Sequence, residues 1–174
     1  LITAQTLWKD YDPRSLPLGE TVLSVENEER YTVKHIYFNG EATGDGCTRI
    51  YARLYTPASI PSGASVVLMN DIEKPFDPTY INILTDCGYT VIVPDYAGKR
   101  DGKGLFTIYP DSLKQANYYT EDSGDYRLPV NPKLSCWYVY TSVMLRCYAY
   151  LESQPGLDKN RIAFFGVKRG GHQV

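Results

Sequence analysis

An apolar run, Arg161-Ile162-Ala163-Phe164-Phe165, passes directly into Gly166-Val167-Lys168-Arg169-Gly170-Gly171. A buried strand entering Gly-x-x-x-Gly-Gly predicts a tight strand-to-helix turn, with the middle residue strained and its side chain lifted above a sheet. Glycines two before and two after the middle residue let backbones pass closely, and Gly166 and Gly170 hold those places. The peptide N–H after the middle residue then points at a substrate oxygen from the start of a helix. Such a turn serves attack on a carbonyl and stabilisation of the oxyanion that forms. Its middle residue here is Lys168. An ammonium is a poor nucleophile, and no hydroxyl remains to form an acyl-enzyme. A desolvated lysine can form Schiff bases, but nothing in the sequence names a carbonyl substrate or an apolar pocket around the amine. The plainer reading of Lys168 is a solvated residue, and Arg169 beside it adds a small positive patch.

Other reactive side chains are sparse. His172 follows Lys168 by four residues, in the expected first turn of the next helix, and His35 lies in an early strand as a surface or packing residue. Cys47, Cys87, Cys136 and Cys147 include no CxxC pair and have no clustered histidines, so no metal site and no cofactor are expected. Cys136 and Cys147 fall on one predicted helix about 16 Å apart, too far to bridge. Free, mostly buried thiols lean towards a reducing, cytoplasmic compartment. The first residue is Leu rather than Met, which leaves open whether a leading segment has been removed, and with it the compartment. The 16 tyrosines suit sugar or aromatic ligands, but packing is the commoner use of that side chain.

Length allows one domain with a sizeable core. A net charge of −2 offers no basic excess for phosphates, which argues against nucleic acid. No apolar run reaches the length of a membrane span. Three early runs (21–26, 31–38 and 48–55) are rich in Val, Ile, Tyr and Thr and read as strands. The third alternates polar and apolar, so one of its faces is expected to meet solvent. Residues 57–63 read as a turn. Ser65-Val66-Val67-Leu68-Met69 and Thr90-Val91-Ile92-Val93-Pro94 are apolar without alternation, as in strands buried on both faces. Between them 79–87 reads as a short helix stopped by Gly88. Asp95 ends the second of these strands, where an acid commonly fastens the following loop, and glycines at 98, 102 and 104 mark that loop. Residues 105–133 contain three prolines and no clean period, an excursion that predicts a site wall or lid. In 134–153, Trp137, Tyr140, Met144, Cys147 and Leu151 recur at helical steps and predict one apolar stripe. Run 161–165 is expected to be a third buried strand. Alternating strands and helices give an α/β class with a mixed, mainly parallel sheet and flanking helices.

Three longer matches make the reading specific: Trp8-Lys9-Asp10-Tyr11-Asp12-Pro13 with Leu16-Pro17-Leu18, then Cys87-Gly88-Tyr89 through Asp95-Tyr96, then Leu157-Asp158-Lys159-Asn160-Arg161-Ile162 leading into the glycine turn. On these the sequence resembles the acetyl xylan esterase and cephalosporin-C deacetylase branch of the α/β-hydrolases, over nearly the whole chain. The approach to the turn is also shared by dienelactone-hydrolase-like and prolyl-peptidase-like proteins. The resemblance places Lys168 at the nucleophile position of the elbow. It gives the N–H of Arg169 to the oxyanion and puts Asn70, Asp71 and Ile72 in the same pocket, with Gly166, Gly170 and Gly171 as the elbow glycines. An acylated carbohydrate or another small ester is the implied ligand.

Two departures follow. Lysine replaces the expected serine, and the acid and histidine that come later in this family's order are not in the sequence. Residues 1–174 therefore read as a single, incomplete α/β-hydrolase domain, truncated after the elbow. Residues 1–60 form its N-terminal segment and antiparallel strands, and 64–174 its parallel part. The elbow strand becomes an open edge, which predicts self-association or a complementing chain. Three functions compete: a hydrolase-like protein without catalysis, part of an active esterase or peptidase-like hydrolase completed by further residues, and a carbohydrate- or protein-binding module using the tyrosines and the 105–133 excursion.

Overall fold

The structure is a computed structural model that describes residues 2–59, 62–72, 78–99, 104–119 and 131–174. Six strands form one sheet: β1 (Thr21–Asn27), β2 (Tyr31–Thr43), β3 (Gly46–Pro57), β4 (Ser65–Met69), β5 (Thr90–Pro94) and β6 (Ile162–Gly166), in the spatial order β1-β2-β3-β5-β4-β6. The sheet is mixed. Pairings β1/β2, β2/β3 and β3/β5 are antiparallel, while β5/β4 and β4/β6 are parallel. Parallel pairing is thus narrower than the apolar runs suggested, because the long β2/β3 hairpin carries one whole side of the sheet. Helices α1 (Ala4–Trp8), α2 (Pro78–Asp86) and α3 (Cys136–Ser153) complete the regular elements, with 3-10 turns at Asp111–Ala116, Pro132–Leu134 and Lys168–His172.

Strand alternation sorts the core onto two faces. Ile36, Phe38, Ile50, Ala52, Leu54, Val67, Met69 and Ile92 face α3, whereas Val33, Tyr55, Leu68, Val91 and Val93 face Ile81 of α2. Both β4 and β5 are buried along their whole length, as continuous apolar runs predict. Gly88 adopts φ 83° just after α2, the left-handed stop that glycine supplies without a Cβ penalty. The Ser135 hydroxyl accepts from the Tyr138 amide (3.2 Å) and caps α3.

Helix α3 is covered on more than its apolar stripe. Tyr140, Met144, Cys147 and Leu151 are buried against the sheet, but Tyr138, Ser142, Arg146 and Ala149 are buried as well. The cover is residues 8–18, which run as a strap over the helix. Trp8 stacks on Tyr138 with ring centroids 4.3 Å apart, Tyr11 Oη donates to the Ser142 carbonyl (3.3 Å), and Arg14 pairs with Glu152 (2.8 Å).

Two expectations are corrected. Strand β3 was expected to turn one face to solvent, but Tyr51 and Tyr55 on that face are buried. Tyrosine reads as polar in an alternating pattern yet brings a large apolar ring. Tyr37 and His35 pack on Tyr51, Tyr31 on Tyr55, and the Thr107 hydroxyl accepts from the Tyr51 amide (3.0 Å). His35 is accordingly a packing residue. Strand β6 was expected to be buried, but it lies at the edge of the sheet, half-buried and exposed by turns. Its apolar composition is that of a strand made to be covered, and no described strand pairs on its outer side.

The excursion is fastened in its first half. Asp95 accepts from the amides of Ala97 (3.2 Å) and Thr107 (2.9 Å), and Ile108 bridges Arg49. Residues 120–130 of the excursion, 100–103 of the glycine loop and 60–61 of the turn lie outside the described residues. The cysteines are free, with Cys136 and Cys147 buried, Cys47 half-buried and Cys87 exposed. No helix among the described residues is long and apolar enough to cross a membrane, and these residues contain no group able to hold a metal ion.

Candidate functional site

In an open sheet, ligands gather beyond the carboxyl ends of strands where the order reverses. Strand β4 is that point here, with β5 on one side and β6 on the other. The segments leaving β4 and β6 are Asn70-Asp71-Ile72 and Val167-Lys168-Arg169, so the two groups of residues assigned to the pocket from sequence meet in one place. Val167 N–H donates to the Met69 carbonyl (2.9 Å) and ties the two segments together.

The turn has the sterics of an elbow. Lys168 has φ 49°, and it is the one non-glycine residue of positive φ among the described residues. A left-handed lysine costs roughly 1–2 kcal/mol relative to an ordinary backbone, so the surrounding turn imposes this conformation. A Cβ on Gly170 would overlap the Met69 carbonyl oxygen and stand 2.5 Å from that of Asn70. One on Gly166 would stand 2.5 Å from Cα of Gly171. The glycine pattern is thus required by close backbone approach, as the spacing predicted.

Lys168 leans across the pocket to Asp71, with Nζ 3.1 Å from Oδ2. The lysine side chain is 68% exposed and the aspartate 9%, so one partner is wet and the other enclosed. Lys168 is therefore solvated, as expected, but it is also paired. The Arg169 guanidinium donates to Tyr118 Oη (2.5 Å) and lies over the same ring, with Cζ 5.0 Å from its centre. Asn70 and Ile72 are buried, and their carbonyls accept from Tyr96 Oη (2.6 Å) and Tyr119 Oη (2.5 Å). Burial, with Asp71 next, raises the Tyr96 pKa well above the ordinary phenol value, which keeps it a protonated donor. Gly171 sits in the 3-10 turn behind the apex, and the His172 ring rests near Trp137 (5.6 Å) rather than beside Lys168.

Tyr96, Tyr118 and Tyr119 are the wall residues that sequence reasoning missed. Their signal was there, in Asp-Tyr at the end of β5 and a Tyr-Tyr pair in the excursion, but the tyrosine count spread it over the whole chain. A substitution pair isolates the backbone strain at the apex. Lys168→Ala and Lys168→Gly both remove the ion pair, but only glycine relieves φ, so Gly should melt as the more stable by about 1 kcal/mol. Equal melting temperatures would show that the apex is not left-handed.

No protein-family model and no curated protein matches the chain. Solved structures do match in fold. Acetyl xylan esterase 1 from Thermoanaerobacterium sp. JW/SL YS485 aligns at 15% identity and TM-score 0.57, over 91% of this chain and 47% of that one. An acetyl xylan esterase from Paenibacillus sp. R4 aligns at 18% identity and TM-score 0.53, over 91% and 49%. A promiscuous CE15 esterase from a marine bacterial metagenome aligns at 15% identity and TM-score 0.52, over 97% and 51%. The likeness is one of fold: an α/β-hydrolase-like sheet with flanking helices. The chain spans about half the length of the solved esterases it matches.

Proposed function

We propose that this chain is a hydrolase-like scaffold, akin to the carbohydrate acetyl esterases, that does not cleave esters. The observation carrying this reading is Lys168 at the left-handed apex of the elbow with its amine on Asp71. Acyl transfer needs a hydroxyl or thiolate at that apex, and an ammonium held by a carboxylate supplies neither a lone pair nor a place for the acyl group. The rest of the pocket is retained, with the Arg169 peptide N–H after the apex as an oxyanion donor and Asn70, Asp71 and Ile72 as its wall. A small ester, such as an acylated carbohydrate, is a ligand such a pocket could hold without cleaving. With p-nitrophenyl acetate, the purified chain should release nitrophenol no faster than Lys168→Ala. Turnover that Lys168→Ala abolishes would overturn the reading.

A second reading rests on β6. Ala163 and Phe165 are exposed on one face of this edge strand, and Ile162 and Phe164 are half-buried on the other. The strand carries no proline and no charge within Ile162–Gly166, so neither of these protections guards the edge. On this reading the pocket is completed by self-association or by a complementing chain, and an active hydrolase arises only in that assembly. Light scattering on a sizing column should then give a mass above the 19.7 kDa of one chain. A clean monomer would remove the self-associating version.

A further inference from the structure

The sheet has a second edge at β1, and no described strand pairs on its outer side. All seven residues of β1 are exposed. Among them Val22, Leu23 and Val25 are 48%, 43% and 55% exposed, so large apolar side chains stand together in water. No proline interrupts the strand, and its single charge, Glu26, lies near one end. Register with β2 sorts these side chains onto faces. Val22 lies beside Ile36 and Val25 beside Lys34, on the α3 side of the sheet. Thr21 lies beside Tyr37 and Glu26 beside Val33, on the α2 side.

On that α2 side the two ends of β1 carry opposite charges. At the first end Arg49 donates through Nη2 to Thr21 Oγ1 (3.1 Å) and through Nη1 to the Gly19 carbonyl (3.0 Å) and Asn39 Oδ1 (2.5 Å). Its guanidinium lies over Tyr37, with Cζ 6.0 Å from the ring centre, and no carboxylate pairs with it among the described residues. At the other end the Glu26 carboxylate stands 3.4 Å from His35 Nε2, and its side chain is 55% exposed.

We propose that β1 is the interface between two copies of this chain, joined edge to edge about a two-fold axis so that two sheets become one. The axis stands perpendicular to the sheet and passes between Leu23 and Ser24. Strands related in this way run antiparallel, and each face of one sheet continues into the same face of the other. Val22 then stands opposite Val25 of the second copy, both on the α3 side. Thr21 stands opposite Glu26 of the second copy, both on the α2 side, which brings Arg49 to that carboxylate. Each contact occurs twice. A slip of one residue would set Val22 against Glu26 of the second copy, on mismatched faces, and leave Arg49 beside an asparagine. Apolar burial supplies the affinity, while the exposed Arg49–Glu26 pairs fix register and partner. A bulge can protect an edge, but the one in β1 falls at the axis, and Thr21, Val22 and residues 24–27 keep their pairing with β2. The inference rests on neither reading of the elbow and uses the edge opposite β6.

The test is light scattering on a sizing column across a concentration series. The parent should reach twice the 19.7 kDa of one chain. Val25→Lys, an exposed substitution that leaves the core untouched, should weaken the dimer by about tenfold or more, because it acts twice across the interface. Ala163→Lys, on β6, should leave it unchanged. Glu26→Arg and Arg49→Glu should each weaken it alone and restore it when mixed, since the mixed pair recovers both opposite-charge contacts. Circular dichroism checks that Arg49→Glu is folded, and should it melt early, Val25→Lys decides. A parent that stays monomeric at its highest soluble concentration would overturn the proposal, as would a dimer that Val25→Lys leaves intact. Any loss of the dimer in Ala163→Lys would place association on β6 and overturn it too. Folded charge variants that stay monomeric when mixed would overturn the register.

Discussion

Gly170→Ala is expected to destabilise the protein by about 3 kcal/mol, which for a domain of this size lowers the melting temperature by about 6–12 °C. The added methyl would overlap the Met69 carbonyl oxygen and crowd that of Asn70. Neither oxygen is free to retreat. Met69 accepts from the Val167 amide (2.9 Å), Asn70 accepts from Tyr96 Oη (2.6 Å), and Met69 is also in register with Gly166 across β4/β6. Relief must come from parting the two segments that form the pocket, which breaks those bonds in a buried place. Gly44→Ala is the matched control, because a Cβ there meets nothing within 4 Å. It should change stability by less than about 0.5 kcal/mol. If Gly170→Ala melted within 2 °C of the parent, roughly the effect of 1 kcal/mol or less, the turn could not pack on β4 as described.

That contrast separates what sequence could tell from what it could not. The elbow was legible because its constraint is local: strand, turn and close approach are written in six consecutive residues, Gly166 to Gly171. Buried β4 and β5 were legible for the same reason, since an unbroken apolar run has one favourable home. The misreadings all involve partners distant in the chain. Run 161–165 has the composition of a strand buried on both faces; its open edge was expected, but the exposure of Ala163 and Phe165 follows from packing that composition does not show. Tyr51 and Tyr55 alternate with arginines and look half-wet until His35, Tyr37, Tyr31 and Thr107 cover them. Lys168 and Asp71 lie in separate motifs, and their pairing requires β4 and β6 to be adjacent, which spacing does not encode. The stripe on α3 was read correctly, but a second covered face was invisible because the strap that buries it has almost no regular structure.

Removal of the Arg146 donors should therefore release that strap. The guanidinium holds three backbone carbonyls, at Asn39 (2.8 Å), Leu16 (3.0 Å) and Pro13, and none belongs to a helix that could satisfy it otherwise. No carboxylate pairs with it among the described residues, and burial lowers its pKa from the ordinary arginine value, so its charge is borne by these carbonyl dipoles. Losing one member of a buried, hydrogen-bonded ionic group typically costs about 3–5 kcal/mol when the partners stay buried. Here the carbonyls gain water when the strap lifts, so about 2–4 kcal/mol is expected for Arg146→Met, which keeps the stem volume and removes the donors. Arg146→Ala should cost about 1 kcal/mol more from the cavity it leaves beside Ala149 and Leu16. Arg146→Lys should resemble Met more than the parent, because one ammonium cannot reach acceptors spread over the strap and β2. The loss should also be uneven along the chain. Trp8 lies on the strap against Tyr138, whereas Trp137 lies at the other end of the pocket near His172. In Arg146→Met the emission of Trp8, read in a Trp137→Phe background, should change at lower urea than the far-ultraviolet circular dichroism of the sheet and α3. Coincident transitions would mean that the strap is part of the cooperative core. In that case Arg146 holds the whole fold rather than one segment of it.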